Sequence, residues 1–287
     1  MTYYDLYMKS ALKIIGPIIL VSILAPLVLY VGLKIWGTWH DEWSGYNAMN
    51  YIGDGYCNIA VLPIFGEIHS YGVTYDEFGN ETISTTMNDS LSFLSQAELE
   101  PGILGVLALV DSTGGSPSAG HLISTELRKS TLPNAAYIAD SGNSAAYLIA
   151  SGADTIIASP FADVGSIGVT MSYLDYSQQN ADQGIAYISL SSGKFKDYGN
   201  PDKPLTEEER ALLERDLAVW HEELVKQIAT NRNLPVEEVA TLANGSSLPA
   251  PLALDAKLID AVGDKETVRI WFAKELNMAP EEVVFCE

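Results

Sequence analysis

Apolar and polar positions divide the chain into two unlike parts. Residues 14–33 read IIGPIILVSILAPLVLYVGL without a charge, long enough at helical rise to match a hydrocarbon core of about 30 Å. The run predicts a transmembrane helix over residues 14–35, with a short N-terminus (1–13) before it and a juxtamembrane linker (36–55) after it. Pro17 and Pro26 are compatible with a span, where neighbouring groups satisfy the freed carbonyls. A cleaved signal peptide is the competing reading. It is disfavoured because the run exceeds the roughly 7–15 apolar residues of such segments and no small-x-small cleavage site follows. Lys9 and Lys13 precede the span, whereas Lys34 is followed by Asp41 and Glu42. This bias favours an inside N-terminus and a remainder outside the cytoplasm. Trp36, Trp39, Trp43 and Tyr46 are candidate interfacial anchors.

From residue 56 the pattern changes to short β-rich runs alternating with helical ones, which predicts a single α/β domain over 56–287. Strands are expected at 58–65, 102–110, 134–140, 154–159 and 184–190. Leu213, Leu217, Trp220, Leu224 and Ile228 recur at steps of four and three. They place an apolar stripe on a long helix opened by the capping box Thr206-x-x-Glu209. That helix reads as a packing or assembly element. The acidic, Ser/Thr-rich stretch 69–102 reads as a loop plus a short helix. Pro249 and Pro251 mark a break before terminal helices at 252–259 and 267–276.

Charge narrows the partners. With 37 acidic against 16 basic residues and a net charge of −21, the chain repels phosphate backbones and anionic headgroups, so nucleic acid is excluded as a partner class. Two cysteines, Cys57 and Cys286, have no CxxC spacing. Two free thiols are favoured, and a single bridge stays open because sequence does not fix pairing.

Three segments could carry chemistry. Asp111-Ser112-Thr113-Gly114-Gly115 closes a strong apolar run, and glycines there leave amides accessible to an anion. A plain turn explains the same residues. Ser141-Gly142-Asn143-Ser144-Ala145-Ala146-Tyr147 lies between a strand and a helical run, where a nucleophilic serine would meet free N–H groups. On the local pattern alone, helix capping by Asn143 or Ser144 is the favoured reading. Ser192-Gly193-Lys194-Phe195-Lys196-Asp197 offers a lysine that serves as a base only when burial or positive potential holds it neutral. Solvated loop lysines are the ordinary alternative. Histidine is the rival base, but His40 lies beside the membrane, His69 in an irregular loop, His121 at a helix start and His221 on a charged helix face. No HExxH or other ligand spacing suggests a metal.

Together these segments resemble the signal peptide peptidase A family of serine peptidases, with the Clp protease/crotonase-like fold of repeated ββα units. The resemblance runs from about residue 58 to 276. Ser112-Thr113-Gly114-Gly115 is similar to the family's Ser-Pro-Gly-Gly turn, and Gly142-Asn143-Ser144-Ala145-Ala146-Tyr147 to its Ala-Ala-Ser-Gly-Gly-Tyr. Val164-Gly165-Ser166-Ile167-Gly168-Val169 and Ser192-Gly193-x-x-Lys196 continue the likeness. Thr113 replaces a proline, and Ala145-Ala146 replace a glycine pair.

The resemblance implies a Ser144–Lys196 dyad supported by Ser166. Oxyanion amides would come from Gly115 and Ala145, with Gly114 beside them. It implies no metal or organic cofactor, a homo-oligomer, and extended apolar peptides such as signal-peptide remnants as substrates. Two rivals are a catalytically inactive membrane scaffold and a crotonase-type acyl-CoA enzyme. The latter leaves Ser144, Ser166 and Lys196 without a joint purpose.

Overall fold

A computed structural model describes residues 56–286 except Asp76. The expected N-terminus, span and linker (1–55), with His40 and the aromatic anchors, lie outside the described residues. Among the described residues no helix is long and apolar enough to cross a membrane.

The elements begin with β1 (Ile59–His69), β2 (Thr74–Tyr75), β3 (Glu81–Thr82), β4 (Ser84–Thr86), α1 (Met87–Leu99), β5 (Gly105–Gly115), α2 (Pro117–Lys129), β6 (Asn134–Asn143) and α3 (Ala145–Ala150). They continue with β7 (Thr155–Ala158), β8 (Asp163–Gly165), α4 (Ser177–Asp182), α5 (Glu207–Arg232), α6 (Val236–Leu242), β9 (Ser247–Pro249), α7 (Ala250–Asp255), β10 (Ala261–Val262), α8 (Lys265–Leu276) and β11 (Phe285–Cys286). One nine-stranded sheet runs β10-β7-β6-β5-β1-β11, with β4 also on β1, β8 on β6 and β9 on β8. Every pairing in it is parallel except β8 with β9.

Parallel strands need both faces covered. Ala60, Leu62, Ile64, Val106, Ala108 and Val110 point to one face, where they meet Ile123, Tyr147, Ile149 and Ile228. Ile59, Leu107, Ala135 and Ile157 point to the other, where Val268 and Phe272 of α8 cover them. The alternation along β1 and β5 therefore feeds two cores. Full burial of a side chain such as Phe272, 0% exposed, contributes roughly 1.5–3 kcal/mol.

Several expectations are corrected. Residues 184–190 form no strand; Ile188 and Leu190 are 79% and 95% exposed. Their β-propensity has no partner strand to act on: they join no strand of the sheet. The strand expected at 102–110 runs on to Gly115, so the glycine pair lies within β5. His69 ends β1 and sits in no loop. Pro251 lies in the first turn of α7 and is not a break, since a first-turn proline lacks only an N–H that would be unpaired anyway. The stripe on α5 is buried only at Leu224 and Ile228; Trp220 is 48% exposed, so the first half of the helix overruns the core. Cys57 and Cys286 are joined in a disulfide. The parallel pairing of β1 with β11 brings them together: Ala60 is in register with Cys286 and Asn58 binds the Val284 backbone.

Candidate active site

Strand β6 gives way to α3 within one residue, Ser144. Its backbone stands at φ 54 and ψ −120, and its side chain makes no capping bond. The turn is held from both sides. Ser144 N–H donates to the Gly165 carbonyl at 2.7 Å, and the Ser144 carbonyl accepts from Leu148 at 3.0 Å. A positive φ in a non-glycine residue is strained and persists only where surroundings over-determine it. The half-buried hydroxyl is thus not consumed by local structure. Asn143 is no cap either: its Nδ2 donates to Ser141 Oγ at 3.0 Å and to Asp163 Oδ2 at 3.1 Å.

Buried Tyr147 anchors α3 through a bond from its hydroxyl to the Leu258 carbonyl at 2.8 Å. Burial is the main cause that pushes this phenol well above its ordinary range, so it stays a neutral donor.

The end of β5 lies against this turn. Gly114 has φ 108, and a Cβ placed on it would stand 2.8 Å from Ser144 Cβ and 3.1 Å from Ala145 N. Only glycine fits there. Gly115 is equally tight, since its Cβ would stand 2.3 Å from the Ile68 carbonyl oxygen. Gly114 N–H is occupied by Ser112 Oγ at 3.1 Å, and that hydroxyl donates to the Gly66 carbonyl. Gly115 pairs with Ile68, whose carbonyl accepts from Ser116 N–H at 2.7 Å. In a parallel ladder alternate residues bond the same neighbour, so Gly115 turns its own N–H away from β1. Ala145 opens α3, where the first N–H groups have no intrahelical acceptor. Its methyl is directed toward α2: a Cβ on Gly120 would lie 3.1 Å from Ala145 Cβ. Ala145 is 3% exposed, so the alanine that replaces a glycine does not crowd the serine from the solvent side.

Ser166 follows β8 at φ 45. Its Oγ donates to the Gly245 carbonyl at 3.1 Å and its N–H to the Ser246 carbonyl at 3.1 Å. It directly follows Gly165, whose carbonyl holds Ser144. Among the described residues Lys196 makes no hydrogen bond to Ser144 or Ser166. It is exposed in an irregular stretch, and among the described residues its bond is that of its backbone N–H to Gly193. Lys194 pairs with Glu208 at 2.5 Å. The neighbouring Asp197 carboxyl is held below its ordinary range, first by a hydrogen bond from Ser189 and then by one from Tyr187.

Sequence reasoning gave no part to Ser112 as the residue that occupies Gly114 N–H, nor to Asp163. Ser112 stood inside the quoted glycine motif, but its task depends on the bulge that brings Gly66 alongside. Asp163 becomes meaningful only through the β6–β8 register.

The architecture is that of an α/β protein with a serine on a strained strand-to-helix turn beside a double-glycine strand end. The model of peptidase family S49 matches residues 126–279, a stretch that includes Ser144, Ser166 and Lys196. The chain belongs to that family. It is 29% identical over 196 residues to Putative protease MJ0651 of Methanocaldococcus jannaschii, covering 68% of this chain and 63% of the relative. To the Putative signal peptide peptidase SppA of Enterococcus faecium it is 27% identical over 219 residues, covering 74% and 64%. The chain thus spans less than two thirds of these relatives' lengths. A solved ClpP1 mutant from Listeria monocytogenes superimposes with a TM-score of 0.47 and 12% identity, covering 71% of this chain and 91% of that one. That likeness is too distant to inform the site.

Proposed function

We propose that this chain is a serine peptidase in which Ser144 attacks a peptide carbonyl, with Lys196 as general base. The observation that carries the reading is the Ser144 turn: a strained serine whose hydroxyl makes no capping bond, backed by glycine and opening a helix. The Gly115 and Ala145 amides would receive the oxyanion, a contribution of about 3–4 kcal/mol per donor in such holes. The acyl-enzyme on Ser144 would then be cleaved by water, with Lys196 relaying the proton. Ser166 donates its hydroxyl to Gly245 and so keeps acceptor capacity for a lysine N–H.

Lys196 would reach this cluster in an assembled homo-oligomer. The stretch around it exposes Leu174, Ile188 and Leu190, and covering them with a second copy would exclude water from the lysine. The fold is assigned to the Clp protease/crotonase-like group. Residues 14–35 are proposed to anchor the domain to the membrane with the domain outside the cytoplasm. The Cys57–Cys286 disulfide supports that side, since disulfides persist in oxidising compartments. Extended apolar peptides such as signal-peptide remnants are the proposed substrates, in keeping with the name of the Enterococcus relative.

Cleavage of an apolar peptide by the full-length protein tests the assignment. Ser144→Ala and Lys196→Ala should each lower turnover by roughly four orders of magnitude, the double variant scarcely more. Lys194→Ala, a surface ion-pair residue, should leave it near wild type. Wild-type turnover in Ser144→Ala would overturn the nucleophile. The exposed position of Lys196 favours one second reading, a catalytically inactive scaffold, for which the wild-type protein itself shows no cleavage.

A further inference from the structure

We infer that Asn143 and Asp163 form a latch across β6 and β8 that positions Ser144 for attack; the inference rests on Ser144 being the nucleophile. The two strands pair over only three positions, Ser141 with Asp163, Gly142 with Val164 and Asn143 with Gly165. So short a ladder has little to hold it beyond what side chains add. Asn143 Nδ2 bridges it, donating to Asp163 Oδ2 at 3.1 Å and to Ser141 Oγ at 3.0 Å. Both amide hydrogens are used, and the opposite amide orientation would set a carbonyl oxygen against the carboxylate.

Asn143 is 9% exposed, and its Oδ1 is buried without a partner among the described residues. Burying an unpaired acceptor is unfavourable, and an apolar side chain of equal size would avoid it. What asparagine supplies here is the pair of donors, and the longer-range one goes to β8.

The next bond along the same ladder is Ser144 N–H to the Gly165 carbonyl at 2.7 Å. That bond fixes the residue held at φ 54. On its other edge β8 is tied to β9, Gly165 with Ser247, and Ser166 N–H to the Ser246 carbonyl. The latch therefore couples the strand bearing Ser144 to the one leading to Ser166. Without it β8 can shift along β6, the Gly165 carbonyl moves, and Ser144 relaxes from its strained turn. A displacement of about 1 Å at a reacting atom is enough to lower turnover by about a hundredfold.

The test uses the full-length protein and compares Asn143→Leu, Asn143→Asp and the exchanged pair Asn143→Asp/Asp163→Asn. Asn143→Leu should lower kcat by about 30- to 100-fold with KM within about threefold, because the hydroxyl is misplaced and substrate contacts are kept. Asn143→Asp should fall further, since two carboxylates then face each other. The exchanged pair keeps the overall charge and restores an amide donor opposite a carboxylate, so it should recover to within about fivefold of wild type. Hydrogen exchange at the Ser144 amide should be faster in Asn143→Leu and return to the wild-type rate in the exchanged pair. An exchanged pair as inactive as Asn143→Asp, or a kcat of Asn143→Leu within about threefold of wild type, would overturn the latch. If Ser144→Ala keeps turnover, the peptidase reading fails on its own, and exchange at the Ser144 amide still decides the latch.

Discussion

Two stretches of this protein carry the proposed dyad, and they are built by opposite means. Ser144 stands where β5, β6 and β8 converge, its backbone bonded to Gly165 and Leu148 and its strand neighbours buried. Lys196 stands in a stretch from 168 to 206 whose one helix, α4, buries no residue. Polar contacts among Tyr187, Asp197 and Asn200 tie that stretch to itself, and exposed Leu174, Ile188 and Leu190 face outward. The proposed nucleophile is fixed by a core that exists in one chain. The proposed base lies on an exposed segment. In such a protein, chemistry can be withheld until assembly or substrate arrives, without loosening the strained serine.

Among variants that keep both proposed dyad residues, the largest expected effect comes from breaking the preformed half. Gly114→Ala puts a methyl 2.8 Å from Ser144 Cβ at a φ of 108, and by displacing the serine should lower turnover by about a hundredfold in a steady-state assay. The same variant should leave hydrogen exchange in 168–206 unchanged. Coupled loosening of both stretches would contradict their independence.

Cys286→Ser touches neither half. It opens a link across 229 residues and should destabilise the domain by about 2–4 kcal/mol in denaturant unfolding, with kcat kept while the protein is folded. A collapse of kcat in the folded variant would tie the site to the β1–β11 edge.

The smallest effect concerns the exit from the Lys196 stretch. Lys203 binds Glu209 at 2.5 Å, and Glu209 closes the capping box of α5 with Thr206. The Lys203 hydrogen bond, then the Thr206 N–H, hold this carboxyl below its ordinary value of 4.5. A lowered folded value means stability is complete above the ordinary value and is lost as pH falls below it. Thermal unfolding between neutral and acid pH should therefore show a shallower acid decline in Glu209→Gln than in wild type. Equal declines would remove the pair from the account.

The preformed half was largely legible in the sequence. Strands at 134–140 and 154–159 and the serine turn between them follow from local apolar runs and small residues, and the structure moves their ends by only a few positions. The capping box Thr206-x-x-Glu209 was legible for the same reason, since its partners lie within one turn. Residues 184–190 misled because Ile185, Tyr187, Ile188 and Leu190 have strand-forming side chains, and no local pattern reports that a neighbouring strand is missing. The disulfide and the Asn143–Asp163 bond escaped because both depend on register between distant strands. Lys196 is marked by resemblance alone, and it is exposed in one chain.

The most direct measurement is labelling of the full-length protein by a serine-reactive phosphonate, with the modified residue mapped by mass spectrometry. The account predicts a single adduct on Ser144, lost in Ser144→Ala and strongly slowed in Lys196→Ala, with Lys194→Ala labelled at the wild-type rate. Labelling at another serine, or undiminished labelling in Lys196→Ala, would contradict it.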